Sequence, residues 1–192
     1  MRNSKTVLLT FASLIIAIVL LMALVPQLGY IQIGIVAITI IHIPVLIGAL
    51  SFKNYKLAFV SGCAFGLSSW FVAMTRPSLP TDFIFQNPLV SVLPRIIFAL
   101  IGLYLFILFS KLFKNKELLA AGLSAIVATL CHTIMVVGMM YLFGQSLFPN
   151  GFINIIVGII TVNGWIEIVL AGIIVPPVVM SMHRVFKHVQ ID

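Results

Sequence analysis

Residues 86–102 read QNPLVSVLPRIIFALIG, an apolar run that keeps one arginine, Arg95, in its interior. A charge in hydrocarbon is costly and is kept for pairing or for binding something. Outward from that point the chain is apolar almost throughout: 62% of its 192 residues are hydrophobic and 8% are charged. A soluble domain of this length needs a polar surface that so few charges cannot supply. A second charge, Glu167, sits in another apolar run, 163–178, NGWIEIVLAGIIVPPV. The chain therefore reads as an all-α integral membrane protein, and the question becomes what its few buried polar groups are for.

Pro and polar clusters divide it into six transmembrane helices forming one domain over residues 1–192, at about 6–25, 33–50, 57–74, 89–109, 118–143 and 152–180. The last is interrupted near its end by Pro176 and Pro177. The first resembles a signal peptide but has no small-x-small cleavage site, so it is read as a retained helix. With these spans, Arg2, Lys5, Lys53, Lys56, Lys111, Lys114, Lys116, Arg184 and Lys187 fall on one side and Arg76 alone on the other. That asymmetry places both termini in the cytoplasm. It also accounts for the net charge of +7, which in a soluble protein would suggest a nucleic-acid partner; none is expected here. Cys63 and Cys131 lie inside helices with no C-x-x-C pair, so neither a disulfide framework nor a metal site is expected.

Small residues recur four apart on the third helix, at Ala58, Gly62 and Gly66, with a weaker pair, Ser13 and Ala17, on the first. Such a strip lets another helix approach closely, either inside this bundle or from a second membrane subunit. Depth groups the polar residues. At about 1.5 Å per residue from the outer helix ends, Arg95 lies roughly 10 Å in, His42 roughly 15 Å, and His132 and Asn163 roughly 17 Å. The four can converge on a cavity open to the outside. Asn87, Ser91 and Arg95, spaced by four, form a polar strip leading down to it. Arg95 either pairs with Glu167 or receives an anionic ligand. Glu167, roughly 22 Å in, falls below the shared level. Trp70 and Trp165 border the region, as interfacial or packing residues or as a stacking surface. The Pro-containing loop 76–87 is an ordinary outer loop or a lid, with Phe83 and Phe85 capping a pocket.

Catalytic readings find little support. There is no H-E-x-x-H, no serine elbow, no ATP-binding motif and only four acidic residues. Uptake of a solute would draw its energy from a partner or an ion gradient.

Four stretches in order carry a resemblance: IHIPVLIGAL at 41–50, GCAFGLSSW at 62–70, QNPLVSVLPRIIFALIG at 86–102 and NGWIEIVLAGIIVPPV at 163–178. Together they resemble the substrate-binding (S) component of an energy-coupling factor vitamin transporter, most like the pantothenate type. The resemblance implies a bacterial plasma-membrane subunit with no ATPase of its own and no cofactor. Such a subunit captures a vitamin outside, associates with a membrane coupling subunit carrying two ATP-binding subunits, and tips in the bilayer to deliver it. It assigns docking to Ser13, Ala17, Ala58, Gly62 and Gly66, although the usual pair on the first helix is two alanines. Pantothenate has one carboxylate, two hydroxyls and an amide. Arg95 would take the carboxylate, with His42, His132 and Asn163 on the hydroxyls and amide. Two further readings stay open: the same role for riboflavin or a pyridoxine-like compound stacked on Trp70 and Trp165, and a stand-alone proton-coupled carrier using Glu167 and a histidine. A purely structural membrane subunit is a third.

Overall fold

The computed structural model describes residues 4–25, 28–33, 36–114, 116–144, 152–158, 160 and 164–186. Its elements run α1 (Ser4–Leu24), β1 (Tyr30–Ile33), β2 (Val36–Thr39), α2 (His42–Ser51), α3 (Tyr55–Thr75), α4 (Asp82–Phe85), α5 (Pro88–Ser91), α6 (Leu93–Leu112), α7 (Glu117–Gly144), α8 (Phe152–Gly158) and α9 (Trp165–Val185). Five segments are long and apolar enough to cross a membrane: Lys5–Leu24, Tyr55–Thr75, Pro88–Leu112, Glu117–Gly144 and Trp165–Val185.

The second expected helix is different. Residues 33–50 do not form one span; α2 begins only at His42 and is 10 residues long, about 15 Å. The residues before it pair as an antiparallel hairpin, Tyr30 opposite Thr39 and Ile31 opposite Ile38. Ile31, Ile33, Val36, Ile38 and Thr39 are β-branched, which favours strands over helix. Pro44 then fits the first turn of α2, where its missing N–H costs nothing.

The sixth expected helix also differs. It is α8 and α9, with Gly158 ending the first and Gly164 preceding the second. Pro176 and Pro177 do not interrupt α9, which continues to Val185. Neighbouring helices make this tolerable in a membrane protein. The Pro176 ring packs towards Gly122 of α7, and the Pro177 carbonyl accepts a bond from Ser181 Oγ at 2.8 Å.

α6 lies against α2, α3 and α7, while α7 also packs on α9, and α1 on α3. Phe65, Phe98, Phe106, Leu46 and Leu50 fill the centre and are fully buried. Close approach of α3 to α6 depends on glycine. A β-carbon at Gly62 would lie 2.8 Å from the Ile96 Cα, and one at Gly66 2.8 Å from the Val92 Cα. The strip of Ala58, Gly62 and Gly66 is thus buried within the chain, against α6 where its two glycines stand, rather than presented outwards. Ser13 and Ala17 are exposed on α1, opposite the residues Phe11, Ile15 and Val19 that it buries.

The two ends of the bundle differ in charge. At one end Lys53 Nζ meets Glu117 Oε1 at 3.0 Å and His183 Nδ1 lies 3.4 Å from Glu117 Oε2. This ties together the end of α2, the start of α7 and the last turn of α9. At the other end Arg76 Nη2 donates to the Leu24 carbonyl at 2.7 Å. Arg2 and Lys187 lie outside the described residues.

Candidate functional site

Arg95 occupies the first turn of α6, directly after Pro94, and is only 6% exposed. Its Nη1 donates to the Val90 carbonyl at 2.6 Å. The guanidinium lies over two rings, 4.9 Å from the centroid of Phe85 and 5.6 Å from that of Phe65. Ring faces attract a cation and hold its plane, but they do not neutralise it. Its Nε is enclosed and has no hydrogen-bond partner. The ion pairs at Glu117 do not involve Arg95, and no ion pair joins Arg95 to Glu167. Arg95 and Glu167 therefore do not form the pair that the sequence left open.

Glu167 is engaged elsewhere. Its Oε1 accepts the Thr39 backbone N–H at 2.7 Å, which closes the end of β2 onto α9. His42 works on the same joint. Its Nδ1 lies 2.6 Å from the Thr39 carbonyl and its Nε2 3.3 Å from the Glu167 carbonyl. A neutral imidazole has one donor, and the shorter contact assigns it to Nδ1. His42 and Glu167 thus act together to pin the hairpin, and Glu167 sits with His42 rather than a level below it.

His132 on α7 is the opposite case. It is 5% exposed, yet neither ring nitrogen has a partner. Its ring lies 4.8 Å from Phe98 and 5.9 Å from Phe65. Phe65 therefore touches both the Arg95 guanidinium and the His132 ring, which brings two of the residues singled out from the sequence to one aromatic wall. His42 reaches the same wall from the far side, 6.4 Å from Phe98.

The remaining choices divide by what their polar atoms bind. Asn87 caps α5, its Oδ1 accepting the Leu89 N–H at 3.0 Å. Ser91 Oγ donates to the Phe85 carbonyl. Both atoms serve local backbone, so the strip on 87, 91 and 95 sets the position of Phe85 over Arg95. Trp70 Nε1 donates to the Gln86 carbonyl at 2.9 Å, and Gln86 Nε2 to the Ala73 carbonyl at 3.1 Å. The loop before α5 is thereby fastened to α3. Phe85 covers the arginine, whereas Phe83 is 53% exposed and caps nothing buried. Trp165 is 68% exposed and stands apart from the aromatic wall. Asn163 lies outside the described residues.

Sequence reasoning missed Phe65 and Phe98, two of 15 phenylalanines with nothing local to distinguish them. Tyr30, read from the sequence as a bordering aromatic near the outer end of the second helix, lies on β1 with its hydroxyl enclosed and unpartnered. Thr129 was missed as well. It is fully buried, with an unpartnered hydroxyl one turn before His132, a spacing that a helical reading of His132 contained.

Residues 7–179 match the family model described as "ECF transporter, substrate-specific component". The pantothenate transporter PanT of Leuconostoc mesenteroides subsp. mesenteroides is 32% identical over 191 residues, covering 91% of each chain. The pantothenic acid transporter PanT of Lactococcus lactis subsp. cremoris is 27% identical over 160 residues, 76% of this chain and 78% of that one. With five apolar helices of membrane-crossing length and a family match over most of its length, this multi-pass membrane protein belongs to the substrate-specific components of ECF transporters.

Proposed function

We propose that the chain captures pantothenate at the aromatic wall between α3, α6 and α7 and delivers it inward as a subunit of an ECF importer in the bacterial plasma membrane. The observation that carries this reading is Arg95: a buried guanidinium held by two rings and one carbonyl, with no carboxylate of its own. A buried guanidinium with no carboxylate in direct contact is a receptor for an anion, and its planar fork suits a carboxylate. The unpartnered His132 beside the same Phe65 suits a polar group further along the ligand. Two relatives that bear the name of a pantothenate transporter support the choice of anion.

In this reading α2 with its hairpin supplies a sixth crossing, and both termini face the cytoplasm. The chain has no ATPase of its own and relies on a coupling subunit with two ATP-binding subunits. The exposed Ser13 and Ala17 face of α1 serves as the docking surface. The buried strip on α3 acts indirectly, by drawing α3 onto α6 and fixing the shape of the outer face. His42 positions the hairpin, and Asn163 completes the ligand contacts from the α8–α9 connection.

Titration of the purified full-length chain with pantothenate tests the assignment. Arg95→Gln should weaken binding by at least about 100-fold, the scale of removing one partner from a buried charge pair. Arg95→Lys should recover part of it. Unchanged affinity in Arg95→Gln would remove the arginine from the site.

A further inference from the structure

Among the described residues, α6 and α7 carry five enclosed side-chain atoms without partners; apart from Ser110 Oγ, near the far end of α6, they are Arg95 Nε, both ring nitrogens of His132, and Thr129 Oγ1. The arginine is accounted for by a carboxylate. The other three atoms are not, and each costs free energy while it remains unsatisfied. Thr129 is the unexpected member. A threonine within a helix ordinarily bonds back to the carbonyl one turn earlier. Thr133, the next threonine on α7, does so, its Oγ1 donating to the Thr129 carbonyl at 3.1 Å, and Ser124 Oγ bonds the Ala121 carbonyl at 2.9 Å. Thr129 Oγ1 makes no such bond although the residue is completely buried.

Thr129 and His132 are three apart and therefore neighbours on one helix face. That face is the buried stripe of α7, which continues through Ala125 on one side and Val136 on the other. Its buried neighbours Ala125, Ala128 and Val136 cannot satisfy a hydroxyl or an imidazole, and the nearby hydroxyls of Ser124 and Thr133 donate to backbone carbonyls instead. A hydroxyl can donate and accept, and a neutral imidazole does one of each. Together they match a ligand alcohol, which also donates and accepts. They do not match a second anion, which can only accept, nor a hydrocarbon, which would leave all three atoms bare.

We propose that Thr129 is a specificity-determining residue, forming with His132 a hydroxyl-reading edge that selects alcohol-bearing anions over anions of the same shape without the alcohol. The inference rests on the capture reading above and adds the rule by which ligands are told apart. The two ends of the site divide the labour: Arg95 sets affinity for any suitably sized carboxylate, and the α7 edge rejects those that leave its polar atoms unpaired. Rejection of this kind is strong, because the penalty falls on the buried groups of the protein.

The experiment is calorimetric titration of the purified full-length chain with pantothenate and with its two monodeoxy analogues, each lacking one hydroxyl. Wild type should bind at least one analogue about tenfold more weakly than pantothenate. Thr129→Val, which removes the hydroxyl and keeps the shape, should weaken pantothenate by a similar factor yet bind that analogue as wild type does. Thr129→Ser should bind pantothenate within about threefold of wild type, and it carries the test if the valine variant fails to fold. Equal affinity of wild type for all three ligands would overturn the inference. So would a Thr129→Val loss of one common factor for every ligand, since that marks a packing role. Either result, with Arg95→Gln still abolishing pantothenate binding, would leave the capture function standing. Absence of pantothenate binding by wild type would instead remove the capture reading and this inference with it.

Discussion

Two histidines in the membrane region look alike in the sequence and behave differently in the fold. His42 donates its one ring N–H to the Thr39 carbonyl and sets Nε2 beside the Glu167 carbonyl, while His132 has no partner for either nitrogen. Helical rise puts both at one depth, but for His42 the count runs from Gln32 through residues that form a hairpin rather than a helix, so about 1.5 Å per residue does not apply there. Which atoms remain free is not legible, since it depends on backbone carbonyls contributed by distant segments. The same limit hid Phe85. Nothing local separates it from Phe83, yet the Ser91 bond to its carbonyl turns its ring over Arg95 at 4.9 Å. Phe85→Leu keeps an apolar cover and removes the ring face. It should weaken pantothenate binding by about 3- to 30-fold, the scale of a desolvated cation–π contact, as measured by calorimetry. No loss would mean that the ring merely covers the arginine.

At the scale of elements, the small-residue faces differ in exposure, which spacing alone could not tell: the α3 strip is buried and the Ser13 and Ala17 face is open. Gly66 stands where a β-carbon would press on backbone, 2.8 Å from the Val92 Cα. Gly66→Leu should therefore cost about 1–3 kcal/mol or more in stability, seen as a lower melting temperature in detergent. Ala17 is exposed, so Ala17→Leu should leave both melting temperature and pantothenate affinity unchanged while reducing co-purification with the coupling subunit. Undiminished co-purification would take Ala17 out of the docking surface. The hairpin yields a third contrast. Glu167→Gln keeps an oxygen to accept the Thr39 N–H, whereas Glu167→Leu strands that donor at a cost of about 1–3 kcal/mol. Pantothenate binding should survive the first substitution and weaken in the second. A proton-coupled carrier relying on Glu167 would instead lose transport in Glu167→Gln, which cannot titrate.

For the whole molecule, hydropathy made the long helices legible and misjudged the second one. Apolar content says that residues 33–50 belong in hydrocarbon, but not that a strand, Val36–Thr39, occupies part of them and that helix begins only at His42. A 10-residue helix covers about 15 Å, half of a hydrocarbon core of about 30 Å. In the six-crossing reading proposed above the hairpin makes up the difference, and strand is acceptable at that depth only where protein covers its backbone groups. Pinning of Thr39 by Glu167 and of Ile40 N–H by the Gly29 carbonyl at 2.9 Å meets that requirement. If α2 and its hairpin together count as one crossing, Thr6 and Lys56 must share a side of the membrane, with Leu28 and Ser78 on the other. All four are exposed, so single cysteines there, in a background with Cys63 and Cys131 replaced by alanine, should label with a membrane-impermeant thiol reagent in two pairs. In intact cells Leu28→Cys and Ser78→Cys should react, and Thr6→Cys and Lys56→Cys only after the membrane is opened. Reaction of Lys56→Cys from outside would mean that α2 turns back within the bilayer, and the charged end built from Lys53, Glu117 and His183 would then have no reason to gather on one face.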